Sequence, residues 1–289
     1  MKKSFLLRWW VENMLIKFDN VYFRYGKKDK LALNKVNLTV DKSEIVFIMG
    51  HTGSGKSTLV QHINGLLKCN EGNVEINIAN EMFVLNHEKK ETNIKKLRKC
   101  VGLVFQFPEY QLFETSVIRD VMFGPMNFYN SETEAKEMAI KALDKVGIDD
   151  SYYERSPFEL SGGEKRKIAI AGVLASNPDV IIMDEPTSSL DSNASKEIMN
   201  LVCKLKDEGK IVIVISHDTD LCYEYADRVI IMHDGKIVKD EDVESAFDDE
   251  EILEEAKLIE PFVHKVKKSL NIKDKIRTIE DLKEVINNG

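Results

Sequence analysis

The segment GHTGSGKS (residues 50–57) fits the pattern G-x-x-x-x-G-K-[ST] at every fixed position. The apolar run EIVFIM (44–49) precedes it, as a buried strand would, and a helix-like segment from Ser57 to Leu67 follows it. Glycines let such a loop fold around an anion, and the N–H groups at the start of the helix face that anion. The segment therefore predicts a nucleotide phosphate site, in which Lys56 contacts the β- and γ-phosphates and Ser57 binds Mg²⁺. A glycine-rich turn capped by Ser57 is the alternative interpretation.

A second apolar run, VIIMDEP (180–186), ends in two adjacent carboxylates. Neighbouring side chains of a strand point to opposite faces, so Asp184 and Glu185 can have different roles. We expect Asp184 to hold Mg²⁺, often through water, and Glu185 to polarise the attacking water. Two solvated carboxylates at the end of a strand are the alternative.

The apolar pattern of the remaining chain predicts the fold class. IVIVIS (211–216) is a third continuous run, and a charged helical pattern from about Ser192 to Glu208 precedes it, which is typical of a parallel α/β core. Alternating apolar residues in 21–25 and 36–40 predict half-buried antiparallel strands. RVIIMHDGKIV (228–238) predicts a hairpin with Asp234-Gly235 as its turn. We expect an α/β fold: a P-loop NTPase core with an N-terminal antiparallel β subdomain, an α-helical subdomain inserted at about residues 107–178, and a short C-terminal helical appendage.

Composition excludes several other classes of protein. The 289 residues include 41 basic and 49 acidic side chains, a net charge of −8, which argues against a protein whose main task is to coat nucleic acid. No stretch approaches the roughly 18 uninterrupted apolar residues that span a bilayer. The four cysteines are far apart without a CxxC pair, so we expect reduced thiols rather than disulfides or a zinc site. Residues 1–13 include a short apolar patch, but Arg8 interrupts it and no small-residue cleavage site follows, so secretion is not expected.

The segment LSGGEKRK (160–167) predicts a second anion site. Ser161 and Glu164 have the spacing of a capping box that opens a helix from Lys165 to Ala175. A cap does not require two glycines, and Gly162 and Gly163 leave bare backbone amides at the positive end of the helix. The chain thus has two helix starts that can bind phosphate but only one loop with a lysine. This combination suggests that two copies of the chain pair head to tail and share nucleotides between them.

In their order and spacing, these segments resemble the nucleotide-binding subunit of an ATP-binding cassette (ABC) transporter over about residues 14–240. The resemblance implies that two cassettes enclose two ATP molecules with Mg²⁺, each between one chain's Walker loops and the other chain's signature motif. The motif-bearing chain starts at about Met14, and the sequence becomes charged and helical after Asp248, so we divide the chain into an N-terminal extension (1–13), an ABC ATPase domain (14–248) and the appendage (249–289). The matching motifs are Walker A (50–57), Walker B (180–185), the signature motif (160–164), the Q-loop at Gln106, the D-loop SSLD (188–191), the switch histidine His217, and the adenine-stacking aromatic Tyr25.

The resemblance implies a set of site residues. Glu185, His217 and Gln106 would be catalytic, and Ser57, Gln106 and Asp184 would hold Mg²⁺. Taken singly, Gln106 is an ordinary polar residue, His217 is a loop histidine, and Tyr25 completes the strand face of Val21 and Phe23. The residues expected to contact ATP are Tyr25, Gly50, His51, Thr52, Gly53, Ser54, Gly55, Lys56, Ser57, Thr58, Ser161, Gly162, Gly163 and Asp191.

The segment FQFPEYQLFETSV (105–117) is similar to the Q-loop region of the energy-coupling factor (ECF) ATPases, and more to the second of their two paralogues than to the first. FGPMNF (123–128) and the tail after residue 248 also resemble that group. The resemblance implies an ATPase that drives vitamin or metal-ion uptake at the cytoplasmic face of the cell membrane, without nucleic acid. Its partners would be a second, paralogous ABC ATPase in a heterodimer, an integral-membrane T component docked near the Q-loop, and substrate-binding S components.

The sequence does not decide what two of its regions contact. Phe107, Pro108, Tyr110, Leu112 and Phe113 offer apolar surface for a partner helix, or they pack inside the helical subdomain. The C-terminal appendage either joins the two ATPases or only covers the cassette.

Other functions remain as alternatives. The first alternative is an ATPase subunit of a different ABC transporter. The second is a soluble ABC ATPase that acts on DNA or the ribosome. No sustained heptads separate Lys56 from Ser161, and the chain has one cassette, which argues against the soluble classes. An ATP sensor would not need Glu185 and His217, and a P-loop kinase would leave LSGGE and SSLD unexplained. Nothing in the sequence encodes the transported molecule or excludes a homodimer.

Overall fold

The computed structural model describes residues 15–41, 43–87, 93–129 and 131–288. The predicted N-terminal extension (1–13) lies outside these residues. In these described ranges, two sheets form the scaffold, one of six strands and one of four. Within the described residues, no helix is both long enough and apolar enough to cross a membrane.

The larger sheet has the order β10-β9-β3-β8-β7-β6. Its inner strands pair in parallel, and β10 is antiparallel to β9. The three continuous apolar runs are the strands β3, β7 and β8, as predicted, and β3 and β8 are buried along their whole length. Because the carboxyl ends of parallel strands meet at one edge of the sheet, the residues after β3, β6, β7 and β8 come together there. The strands are β3 (Ile45–Met49), β6 (Val101–Val104), β7 (Val180–Asp184), β8 (Ile211–Ile215), β9 (Arg228–His233) and β10 (Lys236–Asp242).

The predicted hairpin is formed by β9 and β10. Asp234 and Gly235 both have positive φ, at 47° and 77°, as a two-residue type I′ turn requires. In addition, β9 pairs in parallel with β3, with Ile230 opposite Ile48, and most of it is buried. The strand is therefore part of the core, which the hairpin pattern alone did not indicate.

The smaller sheet is antiparallel, in the order β2-β1-β4-β5. The apolar residues of β2 are buried, and from Val36 to Val40 they alternate with exposed polar residues, as predicted. β1 ends at Phe23, so Tyr25 lies beyond the strand and does not complete its face. The strands are β1 (Leu15–Phe23), β2 (Leu33–Val40), β4 (Glu71–Ile78) and β5 (Glu81–Leu85).

The helices differ from the predictions mainly at their ends. The helix after the phosphate loop ends at Ile63 rather than Leu67, because Asn64 caps it and Gly65 turns the chain at φ 69°. The described helices are α1 (Lys56–Ile63), α2 (Ile94–Cys100), α3 (Val117–Phe128), α4 (Glu132–Lys145), α5 (Gly162–Leu174), α6 (Ser192–Asp207), α7 (Thr219–Tyr225), α8 (Val243–Ala246), α9 (Glu250–Ala256), α10 (Phe262–Leu270) and α11 (Ile279–Asn288).

Two groups of helices pack onto the larger sheet. Helices α3, α4 and α5 lie between β6 and β7 in the chain, and Val121, Leu143 and Ile168 are buried among them. The C-terminal helices α9 to α11 bury Leu253 and Leu282 in the same hydrophobic core. This segment therefore covers the cassette, whatever else it contacts.

Candidate functional site

The phosphate loop is shaped by its glycines and by the β9–β10 hairpin. Gly50 has φ 135°, and a Cβ there would lie 2.1 Å from the carbonyl oxygen of Met232 on β9. Gly53 has φ 83° and faces open space, so a ligand can approach its bare backbone. The N–H of Gly235 donates to the carbonyl oxygen of Ser54 at 2.9 Å, which holds the loop against the hairpin turn.

Lys56 curls back over this loop. Its Nζ donates to the carbonyl oxygens of Gly50, at 2.6 Å, and of His51, at 3.0 Å. Burial lowers the pKa of the Lys56 ammonium, and the nearby Glu185 and Asp184 carboxylates oppose that shift. The phosphate oxygens of a bound nucleotide would compete with these two carbonyls for the Lys56 ammonium.

Ser57 and Asp184 form an oxygen pair that suits Mg²⁺. The Ser57 Oγ donates to Asp184 Oδ2 at 3.0 Å. Neighbouring ligands of an octahedral Mg²⁺ lie about 3 Å apart, because each is about 2.1 Å from the ion. Burial raises the pKa of Asp184, while the Ser57 hydrogen bond and the Lys56 charge oppose that rise. A bound cation would remove the burial penalty on the carboxylate, so these residues fit the ion.

The prediction that strand geometry turns the Asp184 and Glu185 side chains to opposite faces was wrong, because Glu185 lies beyond the end of the strand. The strand β7 ends at Asp184, and Glu185 has φ 51°, in the left-handed region. Its N–H still donates to the carbonyl oxygen of Ile215 on β8, at 2.9 Å. Such a backbone conformation costs free energy and is concentrated at functional sites.

His217 follows β8 and faces Glu185. Its Nδ1 lies 2.9 Å from Glu185 Oε1. The Glu185 side chain is only 12% exposed, whereas the His217 ring is largely open to solvent. The pair therefore presents a carboxylate that is oriented by a histidine, beside Lys56 and Asp184.

Two further predicted residues border this edge of the sheet. Gln106 lies two residues after β6 and is exposed. Tyr25 is also exposed, its ring packs edge-to-face on Phe23, and its hydroxyl lies 3.0 Å from Thr58 Oγ1 on α1. Most of the Tyr25 side chain is therefore accessible to a ligand next to the start of α1.

The signature segment has the predicted capping box, although α5 begins at Gly162 rather than Lys165. Glu164 accepts hydrogen bonds from the Ser161 N–H, at 2.8 Å, and from the Tyr152 hydroxyl, at 2.8 Å. Hydrogen bonds from Ser161 and Tyr152 lower the pKa of Glu164 to about 2. A Cβ at Gly162 or Gly163 would meet no atom within 4 Å, so the backbone of this helix start faces open space.

Asp191, in the predicted D-loop, has a structural role in this chain. Its Oδ1 accepts the N–H groups of Asn193, at 2.9 Å, and Ala194, at 3.0 Å, and so caps α6. Its contact with nucleotide stays a prediction.

Arg166 is an important residue that the sequence analysis did not identify. Its side chain is 3% exposed and forms a two-pronged pair with Glu109, from Nε to Oε2 at 3.2 Å and from Nη2 to Oε1 at 3.0 Å. Its Nη1 donates to the carbonyl oxygens of Pro186 and Ser188. Arg166 therefore joins the signature helix to the segment after Gln106 and to the loop after Glu185. A buried arginine requires an acidic partner, but the sequence does not show which carboxylate that is.

The apolar residues after Gln106 divide into two sets. Pro108 and Leu112 are buried, as in the packing interpretation. Phe107, Tyr110 and Phe113 are exposed, Tyr110 by 84%, and Phe113 stacks edge-to-face on the exposed ring of Phe123. We call these four exposed residues, Phe107, Tyr110, Phe113 and Phe123, the aromatic patch.

Sequence comparison identifies a protein family and several relatives that this chain resembles. The ABC transporter family profile matches residues 33–188. The energy-coupling factor transporter ATP-binding protein EcfA2 of Caldanaerobacter subterraneus is 42% identical over 282 residues, which are 94% of this chain and 96% of that protein. The protein of the same name from Leuconostoc mesenteroides is 47% identical over 228 residues, which are 78% of this chain and 79% of that protein.

Solved structures agree with the sequence comparison. CbiO1 of Clostridium perfringens, part of the ABC transporter complex CbiONQ, superposes with a TM-score of 0.73 at 33% identity, covering 89% of this chain and 100% of that chain. A dimeric ATP-binding cassette in a post-hydrolysis state, bound to ADP and phosphate, gives 0.68 at 33% identity, covering 79% and 98%. The chain therefore belongs to the ABC transporter family, as an ATP-binding cassette whose relatives include energy-coupling factor ATP-binding proteins.

Proposed function

We propose that this chain is the ATP-hydrolysing subunit of an ECF-type importer, working at the cytoplasmic face of the cell membrane. The observation that carries the proposal is the convergence of Lys56, the Ser57–Asp184 pair and the Glu185–His217 pair at one edge of the sheet. The relatives at 42–47% identity support the ECF assignment.

The nucleotide would lie along the phosphate loop. The N–H groups at the start of α1 and the Lys56 ammonium would bind the phosphates, and the Tyr25 ring would stack on adenine. Ser57 and Asp184 would hold Mg²⁺, with Gln106 as a further ligand. The ion would neutralise charge on the transferred phosphoryl group.

Hydrolysis would depend on Glu185 and His217. The Glu185 carboxylate accepts hydrogen bonds, so it can orient a water and take up a proton as that water attacks. The hydrogen bond with His217 fixes Oε1 and leaves Oε2 for the water. Ser161, Gly162 and Gly163 would contact the nucleotide held by a second cassette, since the backbone of the two glycines faces open space.

A substitution that preserves the shape of the side chain tests this mechanism. Glu185→Gln should lower ATP turnover by a factor of about 10² to 10⁴ and leave ATP binding intact, because the amide keeps its size but cannot take up the proton. Glu137→Gln, at an exposed position of α4, is the matched control and should retain turnover. Both are measured in the assembled transporter. Native turnover in Glu185→Gln would remove this residue from the mechanism.

The aromatic patch would receive the membrane-embedded T component. Tyr110 and Phe113 expose apolar surface beside the predicted Q-loop, and an apolar surface of this kind suits a partner helix. Leu112 is unsuitable for a docking test because it is buried. We expect Tyr110→Glu with Phe113→Glu to abolish co-purification with the T component, whereas Ile259→Glu, at a position 81% exposed, should not. Native assembly of the double variant would exclude the patch as the docking surface.

The remaining partners would be a second ABC ATPase, as a heterodimer, and S components that bind vitamins or metal ions. A gentle-detergent pull-down of the tagged protein from its native membranes tests this. A second ABC ATPase and a polytopic T-like protein are the expected companions. Recovery of an ordinary permease with a solute-binding protein would instead favour a different ABC importer, and recovery of ribosomes or DNA-bound proteins would refute a transport function.

A further inference from the structure

Two imidazoles and a carboxylate lie together beside the phosphate loop, on the side of the hairpin. His51 is the second residue of the loop, His233 ends β9, and Asp234 begins the hairpin turn. One potential ligand atom from each residue lies within 4.8 Å of the other two. The predicted Mg²⁺ ligands do not belong to this group.

The orientation of the two rings suits a bound cation. His51 Nδ1 lies 2.8 Å from the carbonyl oxygen of Thr52, which can only accept, so in the neutral ring Nδ1 carries the proton and Nε2 keeps its lone pair. Histidines that bind metals are commonly oriented by a hydrogen bond of this kind. The ring of His233 packs edge-to-face against that of His51, with 5.1 Å between the centroids.

His233 also has an unsatisfied buried atom. Its Nδ1 is inaccessible to solvent and has no hydrogen-bond partner among the described residues. A buried polar atom without a partner costs free energy and calls for an explanation. A metal ion bound at this Nδ1 would supply the missing partner and offset that cost.

Asp234 is available to complete the site. Its carboxylate is paired with Lys30, Oδ2 to Nζ at 3.0 Å, and both side chains are more than half exposed. An exposed ion pair contributes little free energy, so an incoming cation can displace Lys30.

We propose that His51, His233 and Asp234 form a site for a divalent transition-metal ion of the Zn²⁺ class, separate from the Mg²⁺ of the nucleotide. Two imidazoles and one carboxylate are ligands that Zn²⁺ accepts with tetrahedral geometry, with water as the fourth, whereas Mg²⁺ prefers oxygen.

A metal at this site would restrain the phosphate loop. The hairpin already holds the loop through the hydrogen bond from Gly235 to Ser54, and a bridge from His51 to His233 would add a second attachment. The backbone oxygen of His51 also accepts from Lys56 Nζ, so fixing this residue stabilises the arrangement in which Lys56 is turned toward the loop carbonyls. The bound ion would therefore stiffen residues 50–57 before any nucleotide arrives.

The test is made on the full chain without nucleotide, so it does not depend on the proposed function. Zn²⁺ binding is measured by calorimetry, and Co²⁺ is used as a spectroscopic probe, since a tetrahedral site gives a visible absorption band. We expect one ion per chain and at least about a tenfold loss of affinity in His233→Gln and in Asp234→Asn, which alter neither the loop nor the turn conformation. His87→Gln, at an exposed histidine elsewhere, is the control and should bind as the native chain does.

Either of two affinity results would refute the metal site. Equal Zn²⁺ affinity in the native chain and His233→Gln, or millimolar affinity in both, would identify an adventitious ion only. Hydrogen exchange provides the second readout: Zn²⁺ should slow exchange in residues 50–57 of the native chain and not of His233→Gln. Tight binding without that protection would show that the ion does not restrain the loop.

Discussion

Replacing Arg166 by methionine should destabilise the protein strongly. The substitution keeps the aliphatic volume but removes a guanidinium that is 3% exposed and that binds Glu109 and two backbone carbonyls. Glu109, whose side chain is 16% exposed, is left as a partly buried carboxylate without its partner. Removing one member of a buried ion pair typically costs about 3–5 kcal/mol, so we expect a loss of that size in the free energy of unfolding.

The assay is urea unfolding followed by far-ultraviolet circular dichroism, combined with a double-mutant cycle. Arg166→Met with Glu109→Leu should recover much of the loss, because an apolar pair of similar volume leaves no uncompensated charge. Lys167→Met is the control on the same helix: Lys167 pairs with the exposed Glu197, so its loss should cost less than about 1 kcal/mol.

Hydrogen exchange then tests whether Arg166 joins distant segments. In Arg166→Met, protection should fall both in residues 105–113 and in residues 186–191, since one side chain holds both. A loss below about 1 kcal/mol, or increased exchange in only one of the segments, would refute the reasoning.

Two further predictions concern pH. Glu164 has a pKa of about 2 in the folded chain, so its contribution to stability is complete above the usual pKa of 4.5 and is lost as the pH falls toward 2. Because solvent screens this carboxylate, Glu164→Gln should cost only about 1 kcal/mol of unfolding free energy at pH 7, and Ser161→Ala should cost about as much. Urea unfolding should show that the stability of Glu164→Gln depends less on acid pH than that of the native chain. Burial lowers the pKa of His62 to about 4, so the unfolded chain takes up a proton below pH 6.5 while the folded chain does not. Stability should fall by about 3 kcal/mol between pH 6.5 and 4, and an equal fall in His62→Leu would show that His62 is not the cause.

Much of the fold and part of the site follow from local sequence. The buried strands, the phosphate loop, the capping box of Ser161 and Glu164, and the Asp234-Gly235 turn each depend on residues close together in the chain. Short segments of sequence therefore suffice to predict them. A continuous apolar run indicates a strand that is covered on both faces, a glycine indicates positive φ, and a side-chain acceptor indicates the start of a helix.

The tertiary structure decided what depends on distant partners. It showed that β9 pairs with β3, that Glu185 leaves the strand with positive φ, and that Leu112 is buried while Tyr110 is exposed. It also brought Arg166 to Glu109, and His51 to His233. A side chain's partner in these cases is set by how strands and helices pack, and no spacing along the chain encodes that. The sequence by itself determined which segments could bind phosphate, whereas only packing determined which side chains orient, connect and surround them.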